Sequence, residues 1–131
     1  MSAVNKCFIG VRFPSLNEYV NECRRSPYKG AKEKRSYERA AGWYIRLAMQ
    51  QGKLKPVNGP CIVQFIWQEP NRKRDVDNIQ FGQKFVLDAL VRNGVLENDS
   101  QKFVMNTMHA VRVADDKNLV GVEIRIVEAV E

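Results

Sequence analysis

The sequence has a single histidine, His109, and no pair of cysteines at metal-ligand spacing, so a zinc site of the usual His/Cys kind is not expected. Its three cysteines, Cys7, Cys23 and Cys61, are odd in number and include no C-x-x-C. A disulfide framework is therefore not expected, and reduced thiols are the simplest reading. No apolar run approaches the ~20 residues needed to cross a bilayer, and no membrane contact is expected. No G-x-x-x-x-G-K-[ST] phosphate loop occurs, which argues against a nucleotide-driven motor and a nucleotide cofactor. Internal repeats and low-complexity stretches are also lacking. The segment from Met1 to Phe13 lacks a basic-then-apolar layout, so export is not expected and a cytoplasmic location is.

What is present suits one folded domain over residues 1–131, long enough to bury a core. Acids are in deficit: 21 Lys plus Arg against 15 Asp plus Glu leave a net charge of +6. That balance favours a polyanionic partner, nucleic acid or an anionic membrane surface, although a chain can be basic merely for solubility.

Alternation of Cys7, Ile9, Val11 and Phe13 predicts a strand over Lys6 to Phe13, ended by Pro14-Ser15. Leu16 to Cys23 is ambiguous. Pro27 and Gly30 interrupt the basic stretch Arg24 to Arg39, whose first half reads as a loop. Helical spacing of Tyr37, Ala40, Ala41, Tyr44, Leu47 and Ala48 predicts a helix from about Ser36 to Gln51. Pro56 to Pro60 reads as a connector, Cys61 to Gln68 as a buried strand, and Glu69 to Arg74 as a polar loop. Asp77 to Arg92 reads as a helix closed by Asn93-Gly94. Phe103 to Val113 and Leu119 to Val127 read as an antiparallel hairpin about an Asp115–Asn118 turn. The expected fold is a mixed α/β (α+β) single domain, with a mixed sheet of about four strands and helices packed on it.

The chemistry concentrates in Arg72-Lys73-Arg74-Asp75-Val76-Asp77-Asn78, where three cations run into two carboxylates spaced i, i+2. Mg²⁺ takes carboxylate oxygens and keeps several waters, and adjacent cations suit a phosphate-backbone substrate. Asp77 can equally be a helix cap and Asp75 a solvated charge. Further along, Gln80, Lys84 and Asp88 lie three, seven and eleven residues after Asp77, on one helix face. Lys84 and Asp88 also suit an ordinary surface pair. Beyond Gly94, Asp99 is positioned either to return as a third carboxylate or to serve a turn. Tyr37 and Trp43 read as core residues rather than base contacts, and His109 as a structural residue.

These residues resemble the RusA-type Holliday-junction resolvases (crossover junction endodeoxyribonucleases). The resemblance rests on Asp75-Val76-Asp77-Asn78, Lys84, Leu87-Asp88-Ala89-Leu90 and Asn98-Asp99-Ser100-Gln101, together with the early Pro14-Ser15-Leu16-Asn17-Glu18-Tyr19. It implies a homodimeric, Mg²⁺-dependent endonuclease, with Mn²⁺ as a substitute ion. Such an enzyme resolves four-way DNA junctions by paired nicks in recombination and repair, and is often carried by a phage or prophage in a bacterial host. It assigns Asp75, Asp77 and Asp99 to the acidic metal site and Lys84 to the family's essential lysine. Two departures stand out. Lys84 falls three residues beyond the best-known lysine position, where this chain has Phe81. In addition, Asn98 replaces the first member of a paired D-D. A straight helix would carry the shifted amine ~4.5 Å along its axis on the same face.

On this reading the cations Arg72, Lys73, Arg74, Lys29, Lys32, Lys34 and Arg35 grip the DNA backbone, contacts that position DNA without reading its sequence. The Lys29–Arg35 run reads as readily as a solvated loop. Two rival functions stay open: a nuclease of the same scaffold acting on flaps or forks, and an inactive module that only binds branched DNA.

Overall fold

A computed structural model describes residues 5–128. Residues 1–4, the start of the segment whose layout argues against export, lie outside the described residues. Among the described residues, no helix is long and apolar enough to cross a membrane.

The chain runs β1 (Asn5–Ile9), α1 (Leu16–Arg25), α2 (Pro27–Gln50), β2 (Cys61–Glu69), α3 (Val76–Gln80), α4 (Gln83–Arg92), β3 (Val104–Val113), a 3₁₀ turn (Lys117–Leu119) and β4 (Gly121–Glu128). The four strands form one mixed sheet in the order β1-β4-β2-β3. Strand β2 is central, parallel to β3 and antiparallel to β4. Its alternate residues Cys61, Val63, Phe65 and Trp67 are buried and meet Ile126, Ile124 and Val122 of β4 and Cys7 and Ile9 of β1 in the core. The residues between them are only partly buried, so the helices cover one face of the sheet.

Three expectations are corrected. β3 and β4 do not form a hairpin, because β2 lies between them. Alternating burial in β3 and β4 suits either arrangement. Two strand spacings are only ~10 Å, and the seven residues 114–120, helped by the 3₁₀ turn, cross that gap easily. The parallel β2–β3 pair needs a long crossover, which α3 and α4 supply.

The basic stretch is helix, not loop. Ser26 caps α2 by accepting from the Lys29 N–H, and Pro27 occupies the first turn, where its missing N–H does no harm. Gly30 does not break the helix but lets α1 close on it: an added Cβ would stand 2.5 Å from Cys23 Sγ. Leu16–Arg25, ambiguous in sequence, is a helix because Ser15 accepts from the Glu18 N–H.

The third correction concerns the single helix expected over Asp77 to Arg92, which is split into α3 and α4 at Phe81-Gly82. There the Gly82, Lys84 and Phe85 N–H groups bond to carbonyls three residues back, tightening the turn. Gly82 sits against Phe13 and Trp67, each 3.1 Å from where its Cβ would be.

The remaining differences are smaller. β1 is shorter than expected, ending at Ile9, although Phe13 is still buried and stacks on Phe85 at 5.5 Å. The register of β3 shifts between Cys61 and Ile62, which leaves Met105 bulged out and exposed. The three cysteines are free, and burial pushes the Cys7 thiol up to about 11.

His109 is structural, as its isolation in the sequence implied. Its ring stacks on Phe65 at 4.9 Å, and its Nδ1 accepts from Trp67 Nε1 at 2.9 Å. Burial holds its pKa below the ordinary 6.5. The unfolded chain therefore takes up this proton first as pH falls. The stability associated with neutral His109 is complete above about pH 6.5 and is lost as pH falls below it toward the folded value. Calorimetry between about pH 7.5 and 5.5 should show a falling Tm, and His109→Gln should flatten that slope. An unchanged slope in the variant would place the pH dependence elsewhere.

Candidate functional site

Strand β2 ends at Glu69 and delivers the chain into the loop of residues 70–75. The loop is shaped locally: Asn71 Oδ1 accepts from the Lys73 N–H at 3.0 Å. Asp75 then takes the N-cap position of α3, with extended backbone (φ −71°, ψ 151°). Its carbonyl accepts from the Ile79 N–H, yet its carboxylate makes no capping bond. A cap aspartate ordinarily uses that side chain on the first-turn N–H groups. Here both Asp75 and Asp77 are exposed on the same helical turn. The helix start favours negative charge without consuming it.

This turn is fastened to the N-terminal segment. Arg74 Nη1 donates to the Phe13 carbonyl at 2.9 Å, and its Nη2 donates to Glu18 Oε1 at 2.6 Å. Asn78 Oδ1 accepts from the Asn17 N–H at 3.3 Å, adding to the cap of α1. The Pro14-Ser15-Leu16-Asn17-Glu18-Tyr19 segment and the Asp75-Val76-Asp77-Asn78 segment are thus one physical unit. Arg74 is committed to this clamp, whereas Arg72 and Lys73 are exposed. Beside the acidic turn lies a cleft of about 380 Å³ lined by Arg72, Arg74 and Arg112 among others. Arg112, on β3, drew no notice in the sequence because nothing local relates it to the loop.

Asp99 lies elsewhere. It is exposed in the loop after α4, where Asn98 Oδ1 accepts from the Ser100 N–H at 2.8 Å. It lines a cleft of about 530 Å³ between α2 and α4, together with Lys34, Arg35, Glu38, Asp88 and Arg92. Glu38 is buried and meets Lys34 at 3.8 Å and Arg92 at 3.5 Å. Asp88 pairs with Lys34 at 3.7 Å rather than with Lys84. Lys34 is therefore occupied by two carboxylates, while Lys29, Lys32 and Arg35 are exposed on α2. Lys84 is exposed in the first turn of α4, beyond the Phe81-Gly82 break. Trp43, expected in the core, is 56% exposed, because it lies on the side of α2 opposite Ala41, Ile45 and Ala48.

Asp75 and Asp77 are thus brought together, and Asp99 is instead grouped with Glu38 and Asp88 beside the C-terminal half of α4. Among the described residues, no three His, Cys, Asp or Glu side chains are gathered as a metal-binding set within one chain. The donor chemistry at Asp75 and Asp77 still fits Mg²⁺. That ion is usually held by one or two carboxylates plus waters and substrate phosphate, rather than by an all-protein cage. Glu38 could have been found from sequence by its i, i+4 spacing to Lys34, had that stretch been read as helix.

A protein-family model described as Endodeoxyribonuclease RusA matches residues 12–127 of this 131-residue chain. No curated protein matches it.

The Arg74 clamp makes a separable prediction. Arg74→Ala removes both of its hydrogen bonds and strands the carbonyl of buried Phe13, so urea unfolding should show a loss of about 1–3 kcal/mol. Glu18→Gln touches a carboxylate whose side chain is 57% exposed and should cost less than about 1 kcal/mol. Equal, small losses would mean that the Phe13 carbonyl is not the partner that matters.

Proposed function

This chain belongs to the RusA endodeoxyribonuclease family, and from that premise we propose that it is a Mg²⁺-dependent, homodimeric endonuclease. Its substrate is the Holliday junction, which it resolves by paired nicks in recombination and repair. The observation that carries the reading is the unspent pair of carboxylates at Asp75 and Asp77. Asp75 occupies a cap position without capping, and both side chains stand free beside a cationic cleft.

Asp75 and Asp77 would hold the ion, with Asp99 as the third carboxylate. Because Asp99 stands apart from the other two within one chain, a site that uses all three draws Asp99 from a second copy. Paired cutting of two strands separately calls for two active sites, and so for two copies. When bound, Mg²⁺ supplies charge neutralisation at the scissile phosphate and lowers the pKa of attacking water. The chain's own residues do the rest. The Arg74 and Asn78 contacts hold the acidic turn rigid, so the two carboxylates keep their mutual position. Arg72, Lys73 and Arg112 attract the phosphate backbone into the adjoining cleft. Lys84, on the exposed start of α4, offers a mobile point charge to the extra negative charge of the transition state.

A synthetic four-way junction incubated with Mg²⁺ tests the reading. The native protein should give paired nicks near the crossover. Asp75→Asn, Asp77→Asn and Asp99→Asn should cut at least ~100-fold more slowly while keeping junction affinity, because the grip is made by cations. Lys84→Ala should also be slow. Near-normal cutting by any aspartate variant would remove that residue from the site. Cutting of flaps but not junctions would move the substrate to other branched DNA, and tight binding without cutting in Mg²⁺ or Mn²⁺ would make the chain a binding module. Gel filtration should give a mass of two chains.

A further inference from the structure

Helix α2 shows a charge asymmetry that the acidic clefts do not account for. Its only two acids are Glu33, half-buried, and Glu38, buried; its exposed positions carry Lys29, Lys32, Arg35, Arg39 and Arg46 and no acid. Arg39, Trp43 and Arg46 follow Arg35 by four, eight and eleven residues, so all four side chains share one face. Against that face, Arg35, Arg39 and Arg46 join Arg92 of α4 and Asn93 just after it around a cavity of about 200 Å³. The single acid in its lining is Glu38, already met by Lys34 and Arg92. Arg46 is held in place by Asn93, whose Oδ1 accepts from its Nη1 at 3.0 Å and whose Nδ2 donates to the Ala89 carbonyl at 2.8 Å.

Arg92 is met by Glu38, but among the described residues no carboxylate pairs with Arg35, Arg39 or Arg46, so the cavity keeps an excess of positive charge that suits a bound anion. The planar guanidinium forks match phosphate oxygens better than any other biological anion of that size except carboxylate. The cavity also adjoins the cleft that holds Asp99, since Arg35, Glu38 and Arg92 line both. Trp43 stands on the same helix face, ring packed at right angles to Tyr44 at 4.9 Å, yet 56% exposed. An exposed, braced aromatic ring among arginines suits stacking on a base that has left its pair.

We propose that the Arg35, Arg39, Arg46 and Arg92 cavity is a backbone-phosphate subsite for the DNA strand leaving the Asp99 cleft, and that Trp43 stacks on an unpaired base beside it. The proposal rests on the DNA-binding part of the function given above, and extends the grip beyond the loop cations to α2 and α4.

The test is binding without cleavage: a labelled four-way junction, a linear duplex and a single strand are titrated in EDTA across a range of salt. Arg39→Ala should weaken junction binding at least five-fold at ~0.1 M salt and lower the log–log salt slope by about one. Arg39→Lys should keep the slope and lose part of the affinity, a pattern that a merely structural role would not produce. Trp67 is only 3% exposed, so quenching of native tryptophan fluorescence by junction or single strand reports Trp43, and Trp43→Phe should abolish it. Unchanged affinity and slope in Arg39→Ala would overturn the phosphate subsite, and an unquenched native protein would overturn the stacking. Failure of the nuclease reading looks different: the native protein would bind and quench as described, with the arginine effects intact, but would not cut in Mg²⁺.

Discussion

Arg74 joins parts of the chain that are otherwise far apart in sequence. Its guanidinium spans the Phe13 carbonyl and the Glu18 carboxylate, so the loop leaving the central strand is tied to the start of the first helix. Asn78 repeats the tie one turn later through the Asn17 N–H. The turn that carries Asp75 and Asp77, two like charges two residues apart, is held in place by these ties. The helix start offsets part of the two carboxylates' mutual repulsion.

Behind the loop, the sheet supplies rigidity. Trp67, near the end of β2, stacks with Phe65 and His109 and presses on Gly82 at the break between α3 and α4. The aromatic layer continues through Phe85 to Phe13, Tyr19, Tyr37 and Phe81. The acidic turn is therefore mounted on packed side chains rather than on a floppy loop, which is what a site that must hold a fixed geometry requires.

The second acidic region is organised differently. Glu38, buried in α2, would be costly if unpaired, and it is compensated from two sides by Lys34 and Arg92. This network joins α2 to α4 and places Asp88 and Asp99 in one cleft with cations along its rim. Both charged regions lie within the stretch that matches the endodeoxyribonuclease family.

Much of this was legible in the sequence because it depends on short spacing. The buried alternation of β2, the Asp75-Val76-Asp77-Asn78 segment, the later helix of α2 and the basic balance all follow from residues near one another. The family resemblance rested on the same local segments. What misled was local as well: Pro27 and Gly30 read as breakers, whereas one starts a helix and the other admits a neighbouring helix. The pairing of β3 with β2, the split at Gly82 and the exposure of Trp43 depend on contacts across the fold. So do the company Asp99 keeps and the commitment of Arg74 and Lys34 to carboxylates. Sequence alone determined which residues carry charge and which repeat at helix or strand spacing, because those are properties of neighbours along the chain. Tertiary structure decided which charges meet, because that depends on how the core packs strands and helices from distant segments against one another.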